Sequence, residues 1–262
     1  MPLEDDFCDI VRKARFGHDL AVAEVARMTG ISALRLQALE AGQMPAAAEV
    51  ERLAAALSLR AVQLRAIATG GAQPPAPTAI PGFAVHAVFA EDVGAFAYAV
   101  RSDAGSLLID CGGGVRELLA ALGAAPDGVL LTHGHRDHVA GLRDLPRGVP
   151  VFAHPELCRY VPGLEPLRDG EEVLGLEVVY APGHSPEMLA FVGPGLAFVG
   201  DTVFAGSLGR ADSPASYESL LRSARRILAL PPETWLFCGH GPVSQVGWDR
   251  EHNAFPVEAP TW

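Results

Sequence analysis

The chain changes its hydrophobic period once, near residue 70. Before that point apolar residues recur every three to four positions in short runs, with no strand-like alternation. The spacing predicts helices over 20–28, 33–40, 47–57 and 61–68. Gly17, Gly30, Gly42 and Gly70 punctuate them. Thr29-Gly30-Ile31 reads as a tight turn, and Ser32 as the N-cap of the helix that ends at Gly42. Past residue 83, short apolar runs alternate with helical ones. Strands are predicted over 84–89, 96–101, 106–110, 128–132, 149–153, 176–181, 188–192, 196–199 and 235–238. Helices are predicted over 115–122, 138–144, 155–160 and 216–230. In the last of these Leu220, Leu221, Ala224, Ile227 and Leu228 share an apolar stripe, and Arg222, Arg225 and Arg226 read as solvated charge. Mixed elements of this kind predict sheets covered by helices. Between the two parts lie four prolines and several glycines, which cannot continue a helix. The organisation expected is therefore an all-α bundle over 1–70, a Pro/Gly-rich linker over 71–82 and an α/β domain over 83–262.

Composition narrows the function classes. The net charge of −11 argues against nucleic-acid binding by the whole surface. Residues 1–70 are nearly neutral, with eight Lys and Arg against nine Asp and Glu; the remainder carries twelve against twenty-two. No apolar run approaches the ~18 residues of a membrane span, and the acidic start lacks an apolar leader. Cys8, Cys111, Cys158 and Cys238 form no CxxC pair, so free thiols and a cytoplasmic setting are expected. Cys111 and Cys238 read as small buried residues.

The chemistry concentrates in Thr132-His133-Gly134-His135-Arg136-Asp137-His138, directly after an apolar run. Three imidazoles and a carboxylate in six residues are good ligands for zinc and also suit iron and manganese. More candidate ligands follow, each beside a glycine at a predicted strand end. They are His184 in Pro182-Gly183-His184, Asp201 in Gly200-Asp201-Thr202 and His240 in Gly239-His240-Gly241. Seven ligand-type residues exceed what one tetrahedral ion takes and suit two divalent ions that share a carboxylate. His154 reads as structural despite its strand-end position, and His18, His86 and His252 have no ligand-like setting.

The HxHxDH signature, His133-Gly134-His135-Arg136-Asp137-His138, resembles that of the metallo-β-lactamase superfamily, over about residues 83–255. The resemblance implies an αββα sandwich with the site at one edge of the sheets. It implies a first metal on His133, His135 and His184, a second on Asp137, His138 and His240, and Asp201 bridging them. Asp110, in Leu108-Ile109-Asp110-Cys111-Gly112, matches an aspartate that braces the metal loop. The stretch Gly200 to Arg210 looks most like the glyoxalase II and persulfide dioxygenase branch, where Arg210 would stand near a glutathione carboxylate. That branch implies a metal-bound hydroxide attacking a thioester or related acyl carbonyl, with Asp201 holding both ions and Asp137 orienting the nucleophile. The alternative within it is a persulfide dioxygenase with a single iron on His133, His184 and Asp201. Only about twenty residues follow His240, which leaves no room for the helical C-terminal domain of larger glyoxalase II enzymes.

Residues 10–69 resemble the helix-turn-helix domain of phage-repressor-like regulators. The matching residues are Ala21 to Ser32, Leu36, Leu39-Glu40-Ala41-Gly42 and Leu53 to Leu57. This implies DNA binding, with Ser32, Arg35 and Gln37 on the helix that enters the major groove, and a homodimer. Read without the resemblance, the same residues make a small bundle for dimerisation or partner binding, and a single lysine, Lys13, offers few phosphate contacts. A regulator whose metal domain senses a ligand or redox state is the reading from a different function class.

Overall fold

The computed structural model describes residues 1–257, so the end of the second segment at 262 lies outside the described residues. Five helices come first: α1 (Phe7–Gly17), α2 (Val22–Thr29), α3 (Ala33–Glu40), α4 (Ala47–Ala56) and α5 (Ala61–Ala68). The chain then runs β1 (Phe83–Ala90), β2 (Ala95–Ser102), β3 (Gly105–Ile109), α6 (Val115–Leu122), β4 (Gly128–Leu130), α7 (Arg136–Val139), β5 (Val151–Ala153), α8 (Pro155–Cys158) and β6 (Leu164–Pro166). It continues with β7 (Glu172–Val173), β8 (Leu176–Tyr180), β9 (Leu189–Gly193), β10 (Leu196–Gly200), β11 (Val203–Phe204), β12 (Ser207–Leu208), α9 (Pro214–Ile227), β13 (Trp235–Cys238), β14 (Ser244–Gln245) and α10 (Val246–His252). No helix among the described residues is long and apolar enough to cross a membrane.

Two six-stranded sheets form, ordered β1-β2-β3-β4-β5-β6 and β14-β13-β10-β9-β8-β7. Three apolar clusters show how they stack. Tyr98, Ile109 and Leu130 of one sheet meet Phe191, Phe198 and Phe237 of the other. Leu118 and Leu122 of α6 cover the outer face of the first sheet with Leu108 and Val129. The outer face of the second sheet, including Val179, Ala190, Ala197 and Leu236, is covered by Leu220, Ala224 and Ile227 of α9. The layers are therefore α, β, β, α, as expected for a metallo-β-lactamase-type sandwich.

The five N-terminal helices join this last cluster. Ile10, Leu36, Leu39, Leu53, Leu57 and Leu64 belong to the same continuous core as α9 and Phe255. Gly17 lies so close to the Tyr217 ring that a Cβ there would overlap it. The start of α5 clasps the end of α10: the Arg60 backbone N–H donates to the Ala254 carbonyl at 2.8 Å, and its guanidinium to those of Arg250 and Asn253 at 2.9 Å each. The proline-rich stretch is pinned at both ends, with Ala72 in the helical core and Ile80 between the sheets.

Every strand expected from the pattern is present. Five very short ones, β6, β7, β11, β12 and β14, went unforeseen, as did α1 as a separate helix and α10. Runs of two or three residues carry too little periodicity to be read. Arg222, paired with Glu218, and Arg226, paired with Asp169 and donating to the Tyr180 carbonyl, are exposed as expected. Arg225 departs from that reading: it is half-buried and donates to the Pro256 carbonyl.

Candidate metal centre

Strand ends bring the expected ligands together. In the first sheet β3 runs parallel to β4, so the residues just past them, Asp110 and the Leu131–His138 segment, leave the sheet side by side. In the second sheet β10 runs parallel to β13, which places Asp201 and His240 next to each other. His184 arrives from the turn after β8. Close backbone approach is needed for this convergence. A Cβ on Gly239 would overlap Asp201 Oδ1 and His138 Cε1, and one on Gly209 would overlap the Asp201 carbonyl.

All seven side chains meet. His135 Nδ1 lies 3.0 Å from His133 Nε2 and 2.9 Å from His184 Nε2. Asp201 Oδ2 lies 3.3 Å from His184 Nε2 and 3.4 Å from His240 Nε2, and its Oδ1 lies 3.4 Å from His138 Nε2. Asp137 Oδ2 is 3.2 Å from His240 Nε2 and 3.9 Å from His138 Nε2. His133, His138 and Asp201 are buried, whereas Asp137 and His135 reach the surface.

The outward ring nitrogens decide what the inward ones can do. His184 Nδ1 is 2.9 Å from the Arg210 carbonyl, and His240 Nδ1 is 2.9 Å from the Gly94 carbonyl. His138 Nδ1 is 2.7 Å from Asp110 Oδ2. His133 Nδ1 is 3.1 Å from Thr132 Oγ1, whose own proton goes to Asp110 Oδ2 at 2.8 Å. In a neutral ring each acceptor takes the Nδ1 proton and turns the Nε2 lone pair toward the cluster. Four such nitrogens, His135 Nδ1 and two carboxylates converge there. His138 Nε2 and Asp201 Oδ1 are buried and lack hydrogen-bond partners. A divalent cation would satisfy these donors together. Three groups have ligand atoms close enough to share one ion: His133, His135 and His184; His133, His138 and Asp201; Asp137, His138 and His240.

Burial opposes protonation of all four rings with an outward acceptor, but neighbouring carboxylates outweigh it at His138 and His240. Burial makes His133 hard to protonate, and so do its imidazole neighbours. Burial acts the same way on His184. For His138 burial is outweighed by Asp110 and Asp201, which raise its pKa. Burial alone would raise Asp201, but the imidazoles beside it, His138 and His240 first, hold it well below the usual carboxylate range.

Asp110 braces the loop. It takes a left-handed backbone conformation (φ 58°) and accepts from the Thr132 N–H and hydroxyl, both at 2.8 Å. Beside His184 opens a cleft of about 540 Å³, lined by Tyr180, Pro182, Pro186, Ser213, Ala215 and Ser219. His154 lies under Tyr180, stacked at 4.9 Å, with Nδ1 accepting from the Glu156 N–H, so its role is structural. Arg210 gives its carbonyl to His184, while its exposed guanidinium pairs with Asp212.

The family model described as "Metallo-beta-lactamase superfamily" matches residues 90–170 and 161–240, more than half of the chain. The chain belongs to the metallo-beta-lactamase superfamily. The hydroxyacylglutathione hydrolase of Aeromonas hydrophila is 36% identical over 161 residues, which is 55% of this superfamily member and 60% of that relative. The chain thus spans about three fifths of the length of such curated relatives. The probable metallo-hydrolase YqgX of Bacillus subtilis is 30% identical over 191 residues, 61% of this chain and 90% of the relative. Among solved structures, TTHA1623 in a di-iron-bound form is 34% identical with a TM-score of 0.57, covering 64% of this chain and 98% of that one. BLEG-1 B3 metallo-beta-lactamase, at 24% identity and a TM-score of 0.56 over 65% of this chain and 98% of that one, shares the fold.

The five helices precede the matched residues. Ser32 caps α3 by accepting from the Arg35 N–H, and Gln37 is exposed. Arg35 is turned back onto its own bundle, where it binds both Glu49 oxygens at 2.8 Å, Gln43 at 2.8 Å and the Met44 carbonyl at 2.9 Å. Sequence reasoning missed Thr132 and the Gly94 carbonyl as partners of the ligand histidines. Nothing in the local pattern signals them, because both act through contacts made only in the fold.

Proposed function

We propose that this cluster holds two divalent metal ions and that the chain hydrolyses thioesters or related acyl compounds in the manner of glyoxalase II. The observation that carries the reading is the set of inward-facing ring nitrogens around Asp201. His133, His135 and His184 would hold one ion, and Asp137, His138 and His240 the other. Asp201, with one oxygen between His184 and His240 and the other toward His138, would be shared by the two. Two divalent ions in such a set activate water as a nucleophile and polarise a carbonyl oxygen. Around them the chain's own groups hold and orient. Asp110 and Thr132 fix the rings of His138 and His133. Asp137, half-buried at the mouth, would orient the nucleophile. The cleft beside His184 offers apolar walls and hydroxyls to one arm of the substrate.

The names of the hydroxyacylglutathione hydrolases support a thioester substrate. The di-iron form of TTHA1623 supports a two-ion site. Zinc is the expected metal, with iron and manganese accepted by the same donors. The single-iron persulfide dioxygenase reading, which needs only His133, His184 and Asp201, leaves the inward ring nitrogens of His135, His138 and His240 without a task. Replacing Asp201 with Ala and assaying metal content and thioester turnover tests the proposal. Both should fall by about 100-fold or more; a variant that keeps both would sink it.

A regulatory reading draws on α2, the left-handed turn at Gly30 and α3, whose Ser32, Leu34 and Gln37 are exposed. With Arg35 held by Glu49, that face offers DNA only Ser32 and Gln37 among the expected base-reading side chains, and the hydrolase reading is the better supported. A labelled-promoter shift assay on the full chain and a Gln37→Ala variant separates the two.

A further inference from the structure

One hairpin ties the metal cluster together from behind. β11 starts two residues after Asp201, and β12, paired with it, ends two residues before Arg210. Every residue from Val203 to Leu208 is buried. The hairpin therefore joins the carboxylate at the middle of the cluster to the carbonyl that accepts from His184. Gly209 closes it so tightly that a Cβ there would overlap the Asp201 carbonyl and crowd His184 Nδ1. On β11, the Phe204 ring lies 5.6 Å from that of His240, edge to face. A shift of the hairpin would thus move Asp201, the acceptor of His184 and the wall behind His240 together.

α10 holds one side of this hairpin. Asp249 accepts from the Gly206 N–H, and Asn253 donates to the Ser207 carbonyl, both at 2.8 Å. The N-terminal residues hold the other side. Asp5 is buried and accepts from Ser207 Oγ at 2.5 Å and from Lys13 Nζ at 2.6 Å. Lys13 Nζ also donates to the Leu208 carbonyl at 2.8 Å and lies 4.7 Å over the Phe204 ring. The pair is neutral as a whole and touches three hairpin residues. Leaving either charge unpaired in so buried a place is costly, so the two keep one arrangement. Phe7, Ile10, Val11 and Ala14 anchor α1 itself in the shared core. Asp5 and Lys13 precede the residues matched to the superfamily.

We propose that Lys13 is a positioning residue of the metal centre. With Asp5 it fixes the β11–β12 hairpin, and through that hairpin Asp201, His240 and the carbonyl behind His184, so the N-terminal helices complete the site. This deepens the two-metal reading and rests on it.

The test measures zinc affinity of the full chain by competition against a chelator, with the fold followed by circular dichroism. Lys13→Met keeps the side-chain stem and removes its donors; affinity should fall about ten-fold. Ser207→Ala removes one hydroxyl and strands no charge, and should cost about three-fold. Arg15→Met is the matched control. It breaks a pair of similar burial, with Glu40 at 2.6 Å, whose partners all lie within the N-terminal residues. It should stay within about two-fold of the unaltered chain. Unchanged affinity in Lys13→Met and Ser207→Ala overturns the positioning role, and so does an equal loss in Arg15→Met. If Lys13→Met does not fold, Ser207→Ala decides. An unaltered chain that takes up about two equivalents while both hairpin variants bind as tightly leaves the two-metal reading standing and removes only the role of Lys13. An unaltered chain that binds no zinc overturns both.

Discussion

His133, His138, His184 and His240 each spend their ring proton on an outward acceptor, which is what turns a histidine cluster into a cation site. Asp110 matters most among those acceptors, since it holds His138 directly and His133 through Thr132. Asp110→Ala should therefore weaken metal binding by about 10–100-fold while leaving every ligand in place, as a competition titration against a chelator would show. An unchanged affinity would mean that ring orientation is set elsewhere. At this scale the sequence was informative where ligand types cluster at glycine-flanked strand ends. The carbonyls of Gly94 and Arg210 were beyond reach, because every residue carries a carbonyl and only the fold selects which one is used.

At the scale of elements, parallel pairing of β3 with β4 and of β10 with β13 is what gathers the ligands and their brace, 130 residues apart in sequence from Asp110 to His240, at one edge. These strands were legible because each is a short apolar run closed by polar residues or glycine. The two-residue strands and α10 were not, since their existence depends on packing. α10 carries a consequence of its own. Its buried Asp249 accepts from the Gly206 N–H and the Ser244 hydroxyl, yet burial outweighs these bonds and pushes its pKa up to about 6. An unfolded aspartate ionises near 3.8. Folding therefore favours the protonated form, and the stability this contributes is full below about pH 4 and lost as pH rises through about 6. The change amounts to about 3 kcal/mol. Denaturant titrations across that window should show the decline, and Asp249→Asn should flatten it; identical profiles would contradict the assignment.

Across the whole molecule, one apolar core runs from the N-terminal helices through α9 to the second sheet. The proline-rich stretch suggested two bodies joined by a spacer, because composition reports chain stiffness and not the partners that either flank will find. We expect the full chain to unfold in a single calorimetric transition. Deleting residues 1–70 should expose the face of α9 and the second sheet and make the remainder aggregate. Two separate transitions, or a soluble and folded remainder, would show the parts to be independent. The most direct test of the dinuclear hydrolase itself is elemental analysis of the purified chain, with thioester turnover followed through chelation and metal re-addition. About two equivalents of divalent metal per chain, and turnover lost and restored with them, is the predicted result. One iron per chain with dioxygen uptake on a persulfide, or turnover indifferent to chelation, would contradict it.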